Sequence, residues 1–216
     1  MTRPAAVLWD MDGTLVDTEP FWIECEGALV DEHGGSWSSA DAHSIVGFDL
    51  VDAAMVLRER GGVQLEPIEI VEHLLDGVIG RIRSHVPWRP GAAELLAECV
   101  SAAIPTALVT MSWRRFADAV VEAAPAGSFR TVVTGDAVAR GKPDPEPYLK
   151  AAADLGVRPE SCIAIEDSPT GVASALRAGC RTIGVPHVVA LEESPGLTII
   201  ESLDGIGVKE LEALVA

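Results

Sequence analysis

Five short apolar runs recur along the chain, and each is closed by polar or glycine-containing sequence. Continuous apolar runs of this length are typical of strands that are buried on both faces of a parallel sheet. Strand and helix patterns alternate from about residue 91 onward, which predicts a doubly wound α/β fold. The predicted strands lie at residues 5–9, 104–110, 131–134, 162–165 and 182–185.

Two helices of this alternation have recognisable starts and ends. Asp144 is a plausible N-cap and Pro145 a first-turn residue, and Gly156 is typical of the end of the same helix. Ser168 and the proline after it repeat this start a little further along the chain. We expect both helices to connect neighbouring strands of the sheet.

The first strand is separated from the others by a run of helical segments. Segments near residues 18–33, 49–60 and 66–85 have helical patterns, and apolar residues such as Ile70 and Leu74 recur at helical spacing. Segments of this kind can pack as a small bundle, and a Pro- and Gly-containing linker follows them. We therefore predict a core formed by residues 1–16 and 88–216, with an α-helical cap inserted at 17–87.

The charge of the chain excludes two classes of function. Its 216 residues include 16 basic and 33 acidic side chains, a net charge of −17. A protein that binds nucleic acid or an anionic membrane surface needs clustered Lys and Arg, so neither partner is expected. The longest uncharged stretch near the middle, residues 99–112, is shorter than the ~20 residues of a membrane span. The N-terminus lacks the pattern of a signal peptide, and we expect a cytoplasmic protein.

The cysteines and histidines do not form a metal or redox motif. Cys25, Cys99, Cys162 and Cys180 are too irregularly spaced for a CxxC pattern, and the five histidines include no HExxH motif. A chain of this size needs no disulfide to be stable. We predict four buried free thiols and no zinc site.

Polar side chains follow the predicted strands at the points where the strands end. Open α/β sheets bind ligands at the carboxyl edge, where these side chains would meet. Each alone could be a turn or helix-cap residue, but their coincidence at one edge indicates a shared site. The side chains are Asp10, Asp12, Thr110, Lys142, Glu166 and Asp167.

The residue types indicate the chemistry of this site. Carboxylates at one sheet edge repel one another unless a cation neutralises them, and oxygen ligands without His or Cys favour Mg²⁺. One aspartate can then attack phosphorus to form an aspartyl phosphate. A second can protonate the leaving oxygen and later deprotonate water. Lys142 and Thr110 would offset the charge of the phosphoryl oxygens.

Four segments resemble, in order and spacing, the four motifs of the haloacid dehalogenase superfamily, in its phosphatase branch with a small helical cap. They are DMDGTLVD at 10–17, the strand end at Thr110, GKPDPEPY at 141–148 and IEDSPTG at 165–171. The resemblance implies that Asp10 is the nucleophile and a metal ligand, and that Asp12 is the general acid/base with its carbonyl on the metal. It further implies phosphate binding by Thr110, the Met111 amide and Lys142, and a metal site completed by Glu166 and Asp167.

Differences between branches of the superfamily narrow the activity. Haloacid dehalogenases lack an aspartate at the position of Asp12, and phosphonoacetaldehyde hydrolases need a cap lysine, which residues 17–87 do not contain. In beta-phosphoglucomutases a cap-entry histidine aligns with Trp22, and a cap arginine falls near Leu50. Trp22 and Trp113 could form an apolar wall over a small substrate or belong to the core.

The sequence therefore predicts a Mg²⁺-dependent phosphatase that hydrolyses a small phosphorylated metabolite, such as a sugar or polyol phosphate, through an aspartyl phosphate. A sugar phosphomutase of the beta-phosphoglucomutase type is one alternative. A receiver-like module that is phosphorylated on aspartate is a weaker one, because receivers are shorter and carry that aspartate after a middle strand. We expect a monomer or a weak oligomer.

Overall fold

The computed structural model describes residues 3–46 and 48–214, which form two compact units. One unit, here called the sheet unit, comprises the residues up to Asp17 and those from Pro87 onward. The other, the helical unit, runs from Thr18 to Val86. The role of the helical unit as a cap stays a prediction.

The sheet unit is built on six parallel strands in the order β3-β2-β1-β4-β5-β6. β1 and β4 are neighbours, although most of the chain lies between them. The strand order therefore reverses at this pair, and the predicted doubly wound class is confirmed. The strands are β1 (Ala6–Trp9), β2 (Thr106–Val109), β3 (Thr131–Val133), β4 (Cys162–Glu166), β5 (Arg181–Gly184) and β6 (Leu197–Ile199).

Helices lie in the connections between β1, β2, β3, β4 and β5 and form the inserted segment, whereas β5 and β6 are joined by a loop without a helix. The helices of the insertion are α1 (Glu19–Glu32), α2 (Ser39–His43), α3 (Leu50–Glu59) and α4 (Pro67–Ser84). Those of the sheet unit are α5 (Ala92–Ser101), α6 (Arg114–Ala123), α7 (Glu146–Leu155), α8 (Pro169–Ala178) and α9 (Val208–Leu214).

One face of the sheet carries several alanines on its central strands, and α7 and α8 pack against this face. Ala6, Ala107 and Ala164 on the central strands are fully buried with Ala151 of α7 and Ala175 of α8. Because the side chains on both surfaces are small, the helices can lie close to the sheet. The contact is then packed as densely as a protein interior. This packing brings the first turns of α7 and α8 to the carboxyl edge of the sheet.

The helical unit is held together by the apolar face of α4. Seven residues of this helix are buried, including the predicted Ile70 and Leu74, and α4 packs against both α1 and α3. The short helix α2 was not predicted. It is a single capped turn, in which Ser38 and Asp41 exchange hydrogen bonds, and such a turn is too short for a periodic apolar pattern.

The helix starts predicted in the sheet unit differ in detail from those observed. Ser168 caps α8 as expected, because its hydroxyl accepts a hydrogen bond from the Gly171 N–H at 3.1 Å. The N-cap of α7 is Pro145 and not Asp144. Asp144 still accepts a hydrogen bond from the Glu146 N–H at 3.0 Å, so it supports the first turn from one position further out.

The strand β6 was not predicted, because it is short and only partly buried, with Thr198 at its centre. The four cysteines are buried free thiols, as predicted. Among residues 3–46 and 48–214, no helix has the length and apolar character needed to cross a membrane.

Candidate active site

Three of the predicted site residues, Asp10, Glu166 and Asp167, lie where β1 and β4 end side by side. The Asp10 N–H donates to the carbonyl of Ile165 at 3.0 Å, which extends the pairing of these strands to the first acidic residue. Glu166 is the last residue of β4, and Asp167 follows it. Ligands of doubly wound sheets bind outside the strand ends at such a reversal of strand order.

Lys142 joins two of the carboxylates. Its Nζ lies 2.5 Å from Asp10 Oδ1 and 2.7 Å from Glu166 Oε1, and it donates to the Val109 carbonyl at 2.9 Å. An ammonium group has three N–H donors, so these three acceptors use them all. Burial alone would lower the pKa of Lys142, but the charges of Asp10 and Glu166 outweigh it and raise that pKa. Lys142 is therefore a buried, permanently charged partner of both carboxylates.

The loop that carries Lys142 is fastened to α8. Ser174, which is fully buried, donates to the Asp144 carbonyl at 2.5 Å, and Arg177 donates to the Pro143 carbonyl at 2.8 Å. Because α8 begins two residues after Asp167, one helix positions both the acidic pair and the lysine loop. Sequence reasoning did not identify Ser174 or Arg177, since each acts through a backbone carbonyl that no side-chain pattern marks.

Glu166 is fully buried and held on several sides. Its Oε1 accepts hydrogen bonds from Lys142 and from the Tyr148 hydroxyl, the latter at 2.6 Å. Ser168 Oγ lies 3.3 Å from Oε2. The backbone of Gly171 packs so closely against the carboxylate that a Cβ at this position would collide with it. Burial raises the pKa of Glu166, and the charge of Lys142 partly offsets this.

Asp167 approaches the loop that follows β1. Thr14 Oγ1 donates to Asp167 Oδ1 at 3.3 Å. Gly13 has a φ of 87°, and a Cβ there would collide with the Asp167 carboxylate, so only glycine suits this position. Burial, together with the charges of Asp10 and Glu166, raises the pKa of Asp167 to about 8. The ionised form of this carboxylate needs a further positive charge nearby.

A divalent cation fits this environment. Oxygen atoms of Asp10, Glu166 and Asp167 all lie within 4.8 Å of one another. Asp10 Oδ2 is buried and has no hydrogen-bond partner among the described residues. A buried carboxylate oxygen without a donor is costly unless a cation compensates for it. The three residues can therefore hold a divalent metal ion, and their all-oxygen character is that of a site for a hard cation.

The second aspartate, Asp12, lies beside the end of β2. Ser112 Oγ donates to Asp12 Oδ2 at 2.7 Å, and Thr110 Oγ1 lies 3.4 Å from the same oxygen. The Ser112 N–H in turn donates to Thr110 Oγ1 at 3.0 Å. The structure thus brings Thr110 and Asp12 together as predicted. It adds Ser112, whose position two residues after Thr110 was the only signal in the sequence.

Met111 contributes more than its backbone to this edge. Its Sδ lies 3.2 Å from the Lys142 N–H, and the sulfur packs against Gly141. Thioether sulfur is a weak acceptor that adapts its shape to a close neighbour. The side chain therefore supports the lysine loop, whereas the sequence indicated a role for the Met111 amide alone.

The two tryptophans that were predicted as possible substrate contacts, Trp22 and Trp113, lie in different units. Trp113 is the N-cap residue of α6 in the sheet unit, three residues beyond Thr110, and it is half-buried. Trp22 is a half-buried residue of α1 in the helical unit. Substrate contact by either residue stays a prediction.

The fold and the carboxylate cluster define an α/β protein with three carboxylates at its sheet edge that can hold a divalent cation. A family model described as haloacid dehalogenase-like hydrolase matches residues 7–185. This chain belongs to that family and is a hydrolase, which confirms the resemblance of its four motifs. The receiver-like alternative has no support from this match.

Comparisons with individual proteins agree with the family. The chain is 34% identical to hexitol phosphatase A of Escherichia coli strain K12 over 195 residues, which cover 85% of this chain and 83% of that protein. The crystal structure of CbbY from Rhodobacter sphaeroides in complex with phosphate is similar with a TM-score of 0.84 and 28% identity, over 97% of this chain and 99% of that one. A beta-phosphoglucomutase from Clostridium difficile shares the fold at 20% identity, with a TM-score of 0.77 over 98% of this chain and 97% of that one.

Proposed function

We propose that this protein is a Mg²⁺-dependent phosphatase that hydrolyses a small phosphomonoester through an aspartyl phosphate on Asp10. One observation carries the proposal. The Asp10 carboxylate has one oxygen paired with Lys142, and its other oxygen is buried with no hydrogen-bond partner in the part of the chain that the structure describes. This carboxylate lies in a cluster of three that can hold a metal ion.

The ends of β1 and β2 are suited to hold the phosphoryl group. We assign its oxygens to the Thr110 hydroxyl and the Met111 N–H, which follow β2 at the same sheet edge as Asp10. Lys142 stabilises the charge at this edge mainly through Asp10 and Glu166, because its donors are already used. A bound Mg²⁺ would supply further positive charge that draws electron density from the phosphorus.

The proposed reaction has two displacements at phosphorus. An oxygen of Asp10 attacks, the bond to the leaving alkoxide breaks, and the protonated Asp12 gives that alkoxide its proton. Asp12 then accepts a proton from water as the water attacks the aspartyl phosphate. Inorganic phosphate leaves, and the Asp10 carboxylate is regenerated. Ser112 holds the Asp12 carboxylate in place for both proton transfers.

The proposed substrate class is a sugar or polyol monophosphate. The related protein from Escherichia coli is named as a hexitol phosphatase, and the sequence of the helical unit contains far more acidic residues than arginines. An acidic surface disfavours a large polyanion, whereas a single phosphoryl group needs only local compensation. We further propose that the protein acts in the cytoplasm as a monomer or a weak oligomer, with the helical unit as the cap that excludes water from the substrate.

The nucleophile assignment is tested by Asp10→Asn, assayed with an aryl phosphate and with a panel of sugar and polyol phosphates. We expect turnover to fall by at least about 10³-fold, because the amide is a poor nucleophile. Asp154→Asn is the matched control, since Asp154 lies near the end of α7 in an exposed pair with Lys150. It should keep full activity. Substantial turnover by Asp10→Asn would refute the assignment, and activity that survives a chelator would refute the metal requirement.

A phosphomutase is the alternative function. The chain shares its fold, though little of its sequence, with a beta-phosphoglucomutase. Trp22 and the neighbourhood of Leu50 lack the His and Arg that mutases carry at the aligned positions, which favours hydrolysis. The two activities are separated by incubating the enzyme with beta-glucose 1-phosphate. Release of inorganic phosphate supports a phosphatase, whereas formation of glucose 6-phosphate without release supports a mutase.

A further inference from the structure

Tyr148 is the only tyrosine of the chain, and it lies against the carboxylate cluster. It belongs to the first turn of α7 and is fully buried. Its hydroxyl donates to Glu166 Oε1 at 2.6 Å, and the ammonium of Lys142 lies 5.4 Å from the centre of its ring. Burial and the charge of Glu166 raise the pKa of Tyr148, so the hydroxyl keeps its proton and remains a donor.

The two oxygens of Glu166 have different surroundings. Oε1 receives both strong contacts, from Lys142 at 2.7 Å and from Tyr148 at 2.6 Å. Within residues 3–46 and 48–214, the one hydrogen-bond contact of Oε2 is the longer one with Ser168, at 3.3 Å. The backbone of Gly171 packs against the whole carboxylate and limits its rotation. Oε1 of Glu166 therefore accepts from two donors of the protein, whereas Oε2 can still accept a further contact.

We propose that Tyr148 is a positioning residue, which together with Lys142 occupies Oε1 of Glu166 and so presents Oε2 to the divalent cation. The inference rests on the metal site of the proposed function and not on its hydrolytic steps. Partners behind a metal ligand commonly set its orientation, and their loss weakens metal binding by roughly 10–100-fold. Without the hydroxyl, Oε1 would keep Lys142 as its partner, and the orientation of the carboxylate would be less tightly set.

Tyr148→Phe tests this role, because it removes one oxygen and keeps the ring. We expect the Kd for Mn²⁺, measured by electron paramagnetic resonance on the full chain, to rise by about 10-fold. Thr106→Val is the matched control. Thr106 is a buried hydroxyl that donates to the Ser128 carbonyl at the amino end of β2, at the opposite edge of the sheet. This control should leave the Kd unchanged, and a Tyr148→Phe protein with unchanged Kd would overturn the proposal.

A second measurement uses the wild-type chain and does not depend on any variant. Because the chain has one tyrosine, ¹³Cζ-labelled tyrosine gives a single NMR signal. A Mg²⁺ ion held by Oε2 would draw charge from Oε1 and would alter the hydrogen bond from Tyr148, so this signal should shift with MgCl₂. It should not shift with NaCl at equal ionic strength, and the absence of a Mg²⁺-specific shift would contradict the proposal.

These outcomes separate the inference from the proposed function. Weaker Mn²⁺ binding by Tyr148→Phe together with an active Asp10→Asn protein would support the positioning role and refute the nucleophile. Unchanged Mn²⁺ binding by Tyr148→Phe together with an inactive Asp10→Asn protein would refute the positioning role and support the nucleophile.

Discussion

Lys142 is the residue on which the charge balance of the site depends. Its side chain is 5% exposed, and it lies within ion-pair distance of Asp10 and of the fully buried Glu166. Buried ions are tolerated when they are paired, and removal of one partner leaves uncompensated charge in a medium of low polarity. We therefore expect the lysine to be required for the stability of the fold.

We expect Lys142→Met to lower the free energy of unfolding by roughly 3–5 kcal/mol at pH 8 in the presence of a chelator. Urea denaturation measures this change. Lys150→Met is the control, because Lys150 forms an exposed pair with Asp154 and its loss should cost less than about 1 kcal/mol. Equal effects of the two substitutions would show that the buried pairs do not stabilise the fold.

Glu26 is a second buried acidic residue, in α1 of the helical unit. Burial, with a smaller effect of Glu19, raises its pKa to about 7, and Trp37 offsets part of this rise. Its Oε2 has no hydrogen-bond partner among the described residues. A carboxyl whose pKa is raised by folding favours the folded state at low pH. That stability is complete below the unfolded pKa, near 4.5, and is lost as the pH rises through about 7.

Glu26→Gln should remove this pH dependence. The difference in unfolding free energy between the variant and the wild type should therefore shift in favour of the variant by on the order of 3 kcal/mol between pH 4.5 and pH 8. Chemical denaturation across that range measures it. Glu24→Gln, at an exposed position paired with Arg81, serves as the control. A difference that stays constant with pH would contradict the raised pKa.

Among the elements, α8 does most to organise the site. It begins just after the acidic pair, packs its first turn against Glu166 and holds the lysine loop through Ser174 and Arg177. Gly171 permits this close packing, although glycine is a poor helix former. In α4 of the helical unit, Gly80 has open space around it.

Substitution of these two helical glycines by alanine should have opposite effects. Gly80→Ala should raise the free energy of unfolding by about 0.5–1 kcal/mol, because alanine restricts the unfolded chain and favours the helix. Gly171→Ala should lower it and abolish Mn²⁺ binding, because the new Cβ would collide with the Glu166 carboxylate. Thermal denaturation and metal titration measure both effects. Unimpaired metal binding by Gly171→Ala would contradict the packing described for this carboxylate.

Across the whole molecule, the candidate metal ligands belong to one unit. Asp10, Glu166 and Asp167 all lie in the sheet unit, and the four helices of the inserted segment contribute none of them. The chain leaves and re-enters the sheet unit at neighbouring points, where the Asp17 N–H donates to the Pro87 carbonyl at 2.9 Å. Asp17 also pairs with His187 at 3.2 Å. The candidate metal ligands and the contacts of Asp17 therefore all lie within the sheet unit.

Hydrogen exchange should reflect this division. Addition of Mg²⁺ should slow amide exchange in the segments 10–16 and 166–171, because a ligand that binds only the folded site suppresses its local opening. Exchange in the interior of α4 should change little. Mass spectrometry of peptides from the full chain, with and without Mg²⁺, measures this. Protection that appears in α4 and not in the two segments would place the metal site elsewhere.

The alternation of buried strands and helices was predictable because each signal is local. Continuous apolar runs marked β1, β2, β3, β4 and β5, and the glycine after α7 marked its end. The strand β6 was not predictable, because a three-residue edge strand with a central threonine lacks an apolar run. The N-cap of α7 was wrong by one residue for a similar reason, since Asp144 and Pro145 are both acceptable at a helix start.

The sequence by itself determined the family of this protein and which polar residues meet at its sheet edge, because strand ends of a parallel sheet bring their polar residues to one edge whatever the details of packing. Asp10, Thr110, Lys142 and Glu166 could be assigned to one site for this reason. Only the tertiary structure decided which acceptor each hydrogen-bond donor of the site uses. The three N–H groups of Lys142 donate to acceptors of the protein, and the Tyr148 hydroxyl donates to Glu166 Oε1, which Lys142 also contacts. Such sharing depends on distances of a few tenths of an ångström between residues far apart in the chain, and no local pattern encodes them.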